Sequence, residues 1–437
     1  MNKQRQTSRR CFLQAGAAVA TGLLASNRAA ASTPPSDRLA IALVGCGGIG
    51  RWHAQNFPPA IAIRAIADLD QQHLASMKND FAPDAVTTDD YRELIGRDDI
   101  DAVFVCTPDH WHCRIACDAL EAGKDVYCEK PLTLTIDEGR ILSEVVARTG
   151  RVCQVGTQQR SDPNFQTAVA LAHSGRVGKL RRVTAAIGAG PPGGPFSAEP
   201  APKRLAWDRW LGQAPAAEYR PQRCHGNFRW WYEYSGGKMT DWGAHHVDIA
   251  QWAIAPEDER PIAIEVIHAE HASPLEGGMP VRDDSYNTAT TFHLRCRFAD
   301  GVELDIRDTA TDLGFDNGLL FEGEEGRYFV NRGKLTGGPV EKLKSSPLAD
   351  DATFALRKGQ PIDTHYMNFY RACRDRSEPI SDVVSHVRHL NTCHAANIAM
   401  RLGQSLVWRP EEMSFGDESL NPWRQRRARD GYSPAAL

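Results

Sequence analysis

The sequence predicts an α/β fold in which a doubly wound parallel sheet precedes an α+β domain with an open, mainly antiparallel sheet. Three observations carry this expectation. An apolar strand runs into a glycine-rich turn at 45–50, strands and helices alternate as far as residue 156, and short alternating runs fill residues 262–330. At 437 residues the chain is long enough for two domains, since a single core stops growing at roughly 250 to 300 residues.

The first domain is predicted over residues 37–156. Its strands are apolar runs, typical of strands buried on both faces of a parallel sheet, at Leu39–Val44, Ile61–Ala67, Asp101–Cys106 and Asp125–Cys128. Helices are expected from Gly50 as far as Phe57, after Asp68, and around Ile115–Ala122. Strands that alternate with helices define a doubly wound sheet.

The second domain is predicted over residues 157–437, and its first distinct feature is a Gly/Pro-rich loop from Gly188 to Pro202. Residues 290–298 alternate as an antiparallel strand does, and a helical pattern covers His365 to Arg401. Between the Gly/Pro-rich loop and residues 290–298 lies an aromatic cluster of Trp207, Trp210, Phe228, Trp230, Trp231, Tyr232 and Tyr234. These rings indicate either a surface that stacks on sugars or a set of core and subunit-interface residues.

The N-terminus carries a targeting pattern. In Ser8-Arg9-Arg10-Cys11-Phe12-Leu13-Gln14 a paired arginine precedes an apolar run, and Ala29-Ala30-Ala31 offers small residues for cleavage. We interpret residues 1–31 as a twin-arginine signal, which places the mature protein in the periplasm and makes the translocation machinery a partner. A permanent membrane anchor is the alternative, but the run from Ala15 to Ala25 is shorter than the roughly 20 residues that span a bilayer.

Composition argues against two classes of function. The formal net charge is −4 and the basic residues are scattered, so nucleic-acid binding is not expected. The 11 cysteines have no regular spacing and are interpreted mostly as buried thiols. His110, His112, Cys113 and Cys117 crowd together without a second pair of ligands, so no metal site is predicted.

The glycine-rich turn predicts a dinucleotide site. In Gly45-x-Gly47-x-x-Gly50 the first glycine permits the tight turn, the second lets a pyrophosphate approach the backbone, and the third lets helix and strand pack closely. Asp68 ends the next strand, where a carboxylate receives the ribose hydroxyls. The same carboxylate would repel a 2′-phosphate, so NAD is favoured over NADP. An ordinary turn residue is the alternative interpretation of Asp68.

Two later segments carry candidate catalytic residues. Asp241 and His245 are four residues apart, so on one helix they would share a face, with Asp248 one turn further along. A histidine can accept the proton of a secondary alcohol as hydride leaves carbon, and the lysine of Glu129-Lys130-Pro131 can stabilise the alkoxide. A hydrogen-bonded core histidine is the alternative for His245, and His246 is expected to be structural.

The chain resembles the family of glucose-fructose oxidoreductase, inositol dehydrogenase and the rhizopine catabolism protein, called Gfo/Idh/MocA. The motifs that carry the resemblance are the glycine turn, Thr107-Pro108-Asp109-His110-Trp111-His112, Glu129-Lys130-Pro131 and Asp241-x-x-x-His245. The resemblance implies a Rossmann domain, a second domain whose open sheet mediates dimers or tetramers, and a proline after Lys130 that is commonly cis. It implies a catalytic set of Lys130, Asp241 and His245, with Gln158 and Arg160 near the nicotinamide.

From the residues and the resemblance together we assign two further sets. The cofactor set is Gly45, Cys46, Gly47, Gly48, Ile49, Gly50, Asp68, Thr107, Pro108, Asp109, His112, Glu129, Lys130 and Gln158. The substrate set is Lys130, Arg160, Trp230, Tyr232, Asp241 and His245.

These assignments predict an exported NAD-dependent oxidoreductase acting on a secondary hydroxyl of a sugar, cyclitol or glycoside. Two alternatives are a redox-neutral glycosidase with bound NAD and a non-enzymatic NAD-binding sensor. In the related N-acetylgalactosaminidase group the Glu-Lys-Pro motif is missing, which weakens the first alternative.

Overall fold

The computed structural model describes residues 37–254, 260–349 and 351–432. The predicted signal at residues 1–31 therefore lies outside the described residues. From Leu39 onwards the chain forms two sheets with helices packed on them, and the described part confirms the predicted fold class.

The first sheet contains six parallel strands: β1 (Leu39–Val44), β2 (Ile61–Ala67), β3 (Val86–Thr88), β4 (Ala102–Val105), β5 (Asp125–Cys128) and β6 (Cys153–Val155). Their order is β3-β2-β1-β4-β5-β6. The chain builds outward from β1 in one direction and then returns to β4 on the other side. This reversal opens a crevice at the carboxyl ends of β1 and β4, where ligands bind in folds of this kind.

Five helices cover this sheet: α1 (Gly48–Asn56), α2 (Gln71–Phe81), α3 (Tyr91–Ile95), α4 (Asp109–Glu121) and α5 (Ile136–Thr149). Helix α4 begins earlier than the predicted Ile115, because Pro108 occupies its N-cap with φ of −60°. The consequence is that the Asp109-to-His112 motif lies on the first turn of a helix rather than in a loop.

The second sheet contains nine strands in the order β15-β14-β13-β7-β12-β11-β8-β16-β17, and a separate two-stranded ribbon pairs β9 with β10. The strands are β7 (Leu180–Ala186), β8 (Ile262–His271), β9 (Leu275–Glu276), β10 (Met279–Pro280), β11 (Ala289–Arg297), β12 (Glu303–Arg307), β13 (Gly318–Gly323), β14 (Gly326–Asn331), β15 (Lys334–Thr336), β16 (Leu406–Arg409) and β17 (Ser414–Phe415). Strands β7 and β12 are parallel. The other paired neighbours are antiparallel.

The helices of the second domain are α6 (Pro163–His173), α7 (Trp207–Leu211), α8 (Lys238–Asp241), α9 (Gly243–Ile254), α10 (Gly338–Glu341), α11 (Ala352–Leu356), α12 (His365–Asp375) and α13 (Val383–Leu402). Helices α6, α9 and α13 pack on the sheet and bury one core with it. The helical pattern predicted from His365 to Arg401 is two helices, because Arg376 adopts φ of 61° and Pro379 follows it. None of the described helices is long and apolar enough to cross a membrane.

Candidate active site

The turn between β1 and α1 brings the backbone very close to its neighbours. Gly45 has φ of +96°, and a Cβ atom there would lie 2.5 Å from the carbonyl oxygen of Cys106. A Cβ atom at Gly50 would overlap the carbonyl oxygen of Gly45, so only glycine lets α1 pack against the turn. At Gly47 the nearest atom to such a Cβ lies 3.7 Å away, and at Gly48 none lies within 4 Å. The space beside these two residues is therefore open to a ligand.

Asp68 follows β2 and is fixed by two backbone amides. Its Oδ2 accepts a hydrogen bond from the N–H of Cys46 at 2.6 Å, and its Oδ1 accepts one from the N–H of Asp70 at 2.8 Å. Burial raises the pKa of Asp68, while these two hydrogen bonds favour its charged form. The carboxylate is thus held in one orientation next to the glycine turn.

A cavity of about 500 Å³ lies over this turn. Ile49, Asp68, Thr107 and Pro108 form one wall, and residues of the second domain form the other, among them Leu205, Trp210, His225, Phe228, Arg229 and Tyr432. Open glycines at the N-terminus of α1, with an oriented carboxylate beside them, suit the pyrophosphate and a ribose of a dinucleotide. The residues present therefore fit NAD, which the two domains would enclose together.

One side-chain cluster beside this cavity has metal-ligand chemistry. The ligand atoms of Asp70, His73 and His225 lie within 4.8 Å of one another. The Nε atom of Arg204 is 3.4 Å from Oδ2 of Asp70, so a cation already faces that carboxylate. We assign no metal to this cluster.

Glu129 lies at the centre of a buried hydrogen-bond network. Its Oε1 accepts from Nε2 of His53 at 2.9 Å and from Nε2 of Gln158 at 3.0 Å, and Nδ1 of His53 lies 2.7 Å from the hydroxyl of Tyr366. Burial disfavours the charged carboxylate, but the hydrogen bond of His53 and the charges of His53 and Lys130 outweigh burial and lower the pKa of Glu129. The network fixes the strand end from which Lys130 projects.

Lys130 reaches across to the second domain. Its Nζ atom donates to Oδ1 of Asp241 at 2.6 Å and to the carbonyl oxygen of Asp241 at 3.1 Å. Arg229 Nε lies 3.5 Å from the same Oδ1. Burial opposes ionisation of Asp241, but these two cations outweigh it and lower its pKa to about 2. The peptide bond between Lys130 and Pro131 is cis.

The relation between Asp241 and His245 differs from the expected one. Asp241 ends α8 and His245 lies in α9, with Trp242 between the two helices. The carboxylate of Asp241 contacts Lys130 and Arg229 rather than the imidazole, so it positions the lysine and not the histidine. His246 contacts Asn317 at 3.0 Å, which agrees with its expected structural role.

His245 is buried and neutral. Burial lowers its pKa well below the usual value, and the positive charges of Lys130 and Arg332 lower it further. Its Nδ1 atom is buried and has no hydrogen-bond partner among the described residues. Buried polar atoms in native proteins nearly always have a partner, so this nitrogen has a hydrogen-bonding capacity that the described residues do not use.

Two residues of the expected cofactor set contact protein atoms. The ring nitrogens of His112 lie 2.7 Å from the carbonyl oxygen of Pro131 and 2.8 Å from that of Thr107, so His112 joins the loops after β5 and β4. Asp109 accepts a hydrogen bond from the hydroxyl of Ser235. Burial raises the pKa of Asp109. Both residues hold loops that line the site.

Arg160 is a correction to the expected substrate set. Its guanidinium is buried and forms two hydrogen bonds to Asp248, at 2.6 and 2.7 Å, with others to Ile380 and Ser385. His389 also contacts Asp248 at 2.9 Å. Arg160 therefore ties the start of the second domain to α9 and α13, and the Asp248 carboxylate is part of this packing.

Tyr232 is a second correction. Its hydroxyl lies 3.2 Å from Nε2 of His271, and Arg401 stacks on its ring at 4.6 Å. It lines a separate cavity of about 1010 Å³ that shares no lining residue with the dinucleotide cavity. Most of the aromatic cluster is core, as its alternative interpretation held. Trp230 is half-buried and lies near Lys238, whose Nζ is 5.7 Å from the ring centre.

The structure also places residues at the site that sequence reasoning missed. His53, Tyr366, Arg229 and Arg332 reach it from four different elements. None of them belongs to a motif with fixed spacing, so the sequence carries no local signal for them.

The fold and the site define a class of protein, a two-domain nicotinamide-dependent oxidoreductase whose candidate catalytic groups lie where its domains join. The chain belongs to the Gfo/Idh/MocA oxidoreductase family. Residues 39–157 match the family's NAD-binding Rossmann fold, and residues 194–433 match a C-terminal alpha/beta domain of this oxidoreductase family.

Sequence relatives agree with this membership. The chain is 33% identical to scyllo-inositol 2-dehydrogenase (NAD(+)) of Bacillus subtilis, over 83% of this chain and 94% of that protein. It is 35% identical to inositol 2-dehydrogenase of Gluconacetobacter diazotrophicus, and this match covers 34% of this chain and 45% of that protein. For the uncharacterized oxidoreductase YrbE of Bacillus subtilis, at 33% identity, the match covers 33% of this chain and 42% of that protein.

Solved structures share the fold. The WlbA dehydrogenase of Bordetella pertussis, in complex with NADH and UDP-GlcNAcA, has a TM-score of 0.60 at 18% identity, covering 84% of this chain and 98% of that one. An oxidoreductase domain protein of Kribbella flavida gives 0.57 at 19% identity, with coverage of 84% and 98%.

Proposed function

We propose that this protein is an exported dehydrogenase that moves hydride between a secondary hydroxyl of a sugar, cyclitol or glycoside and a tightly bound NAD. The ion pair of Lys130 and Asp241, whose lysine acts on the buried, neutral imidazole of His245, is the observation that supports it most directly. The similarity to scyllo-inositol 2-dehydrogenase over nearly the whole of that protein supports the substrate class.

His245, Lys130 and Asp241 have different roles in the proposed oxidation of an alcohol. The imidazole of His245 takes the hydroxyl proton, and Nζ of Lys130 donates a hydrogen bond to the oxygen as it becomes negative. The carbon–hydrogen bond breaks, its electron pair leaves with the hydrogen, and the carbonyl double bond forms. Bound NAD supplies the hydride acceptor. Asp241 holds the lysine in place throughout, and the network around Glu129 holds the strand end.

Retention of the cofactor follows from the proposed export. The twin-arginine route carries folded proteins, and an enzyme that leaves the cytoplasm needs its dinucleotide already in place. The two-sided cavity supports this proposal, because residues of both domains would contact the bound ligand.

The test uses the purified mature protein without added nucleotide. We expect stoichiometric NAD to be released on denaturation and identified by mass spectrometry. Mixing with a panel of sugars, inositols and methyl glycosides should reduce the bound cofactor. A preparation that is free of nucleotide, binds NAD more weakly than micromolar and reduces none on the panel would refute the proposal.

Export has its own test. Cell fractionation should place the full chain in the periplasm, and replacing Arg9 and Arg10 by lysine should retain it in the cytoplasm. Equal periplasmic amounts of both forms would argue against the twin-arginine route.

A redox-neutral glycosidase is a second candidate. The chain is 33% identical to glycosyl hydrolase family 109 protein 1 of Shewanella sp. strain MR-4, over 34% of this chain and 38% of that protein. Chromogenic glycosides separate the two functions. A glycosidase releases the aglycone with no added acceptor, whereas the proposed dehydrogenase leaves the glycosidic bond intact and yields a keto product.

A further inference from the structure

Two cations near the catalytic ion pair are held by aromatic rings. Arg332 lies in the turn between β14 and β15, and its guanidinium carbon is 4.8 Å from the centre of a ring of Trp242. Lys238 begins α8, and its Nζ is 5.7 Å from the centre of a ring of Trp230. A ring orients a cation over its face without cancelling its charge.

Both cations stand next to the groups that perform the chemistry. The side-chain amide of Gln159 lies 3.3 Å from Nε of Arg332 and 3.3 Å from the carbonyl oxygen of His245. The ring of Trp242, under Arg332, is 5.9 Å from the imidazole of His245. Lys238 lies one helical turn before Asp241 in α8.

The carboxylates around the site are engaged elsewhere. The carboxylate of Asp241 contacts Lys130 and Arg229. The carboxylate of Glu129 accepts hydrogen bonds from His53 and Gln158. The carboxylate of Asp109 accepts one from Ser235. In the described part of the chain, no carboxylate lies within ion-pair distance of Arg332 or Lys238. Neither cation therefore forms a direct ion pair with a described residue, although the charges of Asp241, Glu129 and Asp162 act on Arg332 from further away.

The dinucleotide does not account for these charges. Its phosphates belong at the glycine turn, in a cavity whose lining includes Arg229 but neither Arg332 nor Lys238. The remaining occupant of the site is the substrate.

Resting on the proposed function, we propose that the substrate is an acidic sugar, whose carboxylate or phosphate Arg332 binds with help from Lys238 while its hydroxyl lies at Lys130 and His245. A guanidinium presents paired donors that match the two oxygens of such a group. A neutral sugar would leave both cations without an anion.

The experiment compares matched pairs on the NAD-loaded protein. Glucose, galactose and their methyl glycosides are tested against the corresponding uronates and 6-phosphates. Tryptophan fluorescence reports binding through Trp230 and Trp242, and reduction of bound NAD reports turnover. We expect an acid to bind at least about tenfold more tightly than its neutral partner, with a preference that falls as salt rises.

Variants assign the preference to a residue. Arg332→Gln should abolish the preference, so that an acid and its neutral partner bind alike, while the NAD content is unchanged. Arg327→Gln, at an exposed position in β14, is the matched control and should behave as the unmodified protein. Comparison of uronates with 6-phosphates identifies which acidic group the site takes.

The outcomes separate the two proposals. If no acid binds more tightly than its neutral partner, or if Arg332→Gln weakens both alike, the inference is overturned. Reduction of the cofactor by neutral sugars alone overturns it and keeps the proposed function. Tighter binding of an acid, lost in Arg332→Gln and unaccompanied by reduction, supports the inference and counts against the dehydrogenase.

Discussion

The ammonium of Lys130 lies 2.6 Å from the carboxylate of Asp241, although one follows a strand of the first sheet and the other ends a short helix of the second domain. Because the pKa of Asp241 is lowered to about 2, its carboxylate stays charged at every pH at which the protein would work. The side chain of Lys130 is therefore oriented in this way only when both domains are in place.

A double-mutant cycle should show that Lys130 and Asp241 act as one unit. Lys130→Met should slow single-turnover reduction of bound NAD by about 10²- to 10³-fold, as loss of a charge-stabilising donor does. Asp241→Asn should slow it by releasing the lysine. In the double variant the decrease in rate should be much smaller than the product of the decreases in the two single variants. Fully multiplicative losses would mean that the ion pair has no part in the reaction.

Replacement of His245 should separate chemistry from binding. His245→Ala should slow reduction of the cofactor by about 10²- to 10⁴-fold, the usual contribution of a positioned base. The content of bound NAD should not change, because the glycine turn and Asp68 lie elsewhere. His268→Gln, at an exposed position in β8, is the control. Unchanged stopped-flow rates in His245→Ala at full NAD occupancy would identify His245 as a core residue.

Two glycines of one turn should give opposite phenotypes. Gly50→Ala should destabilise the fold, because its Cβ would overlap the carbonyl oxygen of Gly45. Gly47→Ala should leave the melting temperature unchanged, since the nearest atom to its Cβ is 3.7 Å away, yet weaken NAD binding by filling the open space. Thermal unfolding and nucleotide titration together check both. Normal NAD affinity in Gly47→Ala would show that the pyrophosphate lies elsewhere.

Asp68 should control the choice of dinucleotide. Asp68→Ser removes a charged acceptor worth about 1.5 to 3 kcal/mol, so Kd for NAD should rise by about 10- to 100-fold and the preference over NADP should narrow. Asp84→Ser, at an exposed position before β3, should change neither constant. A preference for NADP in the unmodified protein would contradict the assignment of Asp68 to the ribose.

Stability should fall in mild acid because several histidines are buried neutral. Burial lowers the pKa of His246 and His365 to about 4, and that of His110 and His394 to about 3. In the unfolded chain these groups bind protons below about pH 6.5. Because the pKa values of these histidines are depressed in the folded state, their contribution to the free energy of unfolding is fully present above about pH 6.5. It is lost as the pH falls towards about 4.

Urea unfolding between about pH 7 and about pH 5 measures this loss. Each such histidine should lower the free energy of unfolding by about 1.4 kcal/mol per pH unit below the unfolded pKa. His246→Gln should reduce the change in the free energy of unfolding per pH unit by roughly the contribution of one histidine. His268→Gln, at the surface, should leave this pH dependence unchanged. A slope that is the same in His246→Gln and the unmodified protein would mean that His246 is not buried neutral.

The first sheet was predictable because its signals are local. Buried parallel strands are continuous apolar runs, and a glycine turn that follows such a run and opens a helix is typical of a dinucleotide-binding unit. The strands Ile61–Ala67 and Asp125–Cys128 lie at the predicted residues. The predicted start of α4, at Ile115, is wrong, because the helix begins at Asp109, directly after its N-cap Pro108. The first turn has no periodic pattern of apolar residues that would mark it as helical in the sequence.

The site was predictable as a set of residues but not as a set of contacts. A spacing of four predicts a shared face only within one helix, and the boundary between α8 and α9 falls between Asp241 and His245. Arg160 was assigned to the substrate, yet the structure pairs it with Asp248, which is far away in the chain. Arg332 belongs to no motif, and only the folding of the second sheet brings it to the ring of Trp242, next to His245.

Tyr432 is among the last described residues, yet it lines the dinucleotide cavity, with its ring 5.8 Å from that of Trp111. The glycine turn and the first sheet can form before Tyr432 is in place, but the far wall of the cavity is complete only when Tyr432 has packed against Trp111. The dinucleotide cavity therefore depends on segments that are far apart in the chain. Under the proposed export, Tyr432 would have to pack against the first domain before the protein leaves the cytoplasm.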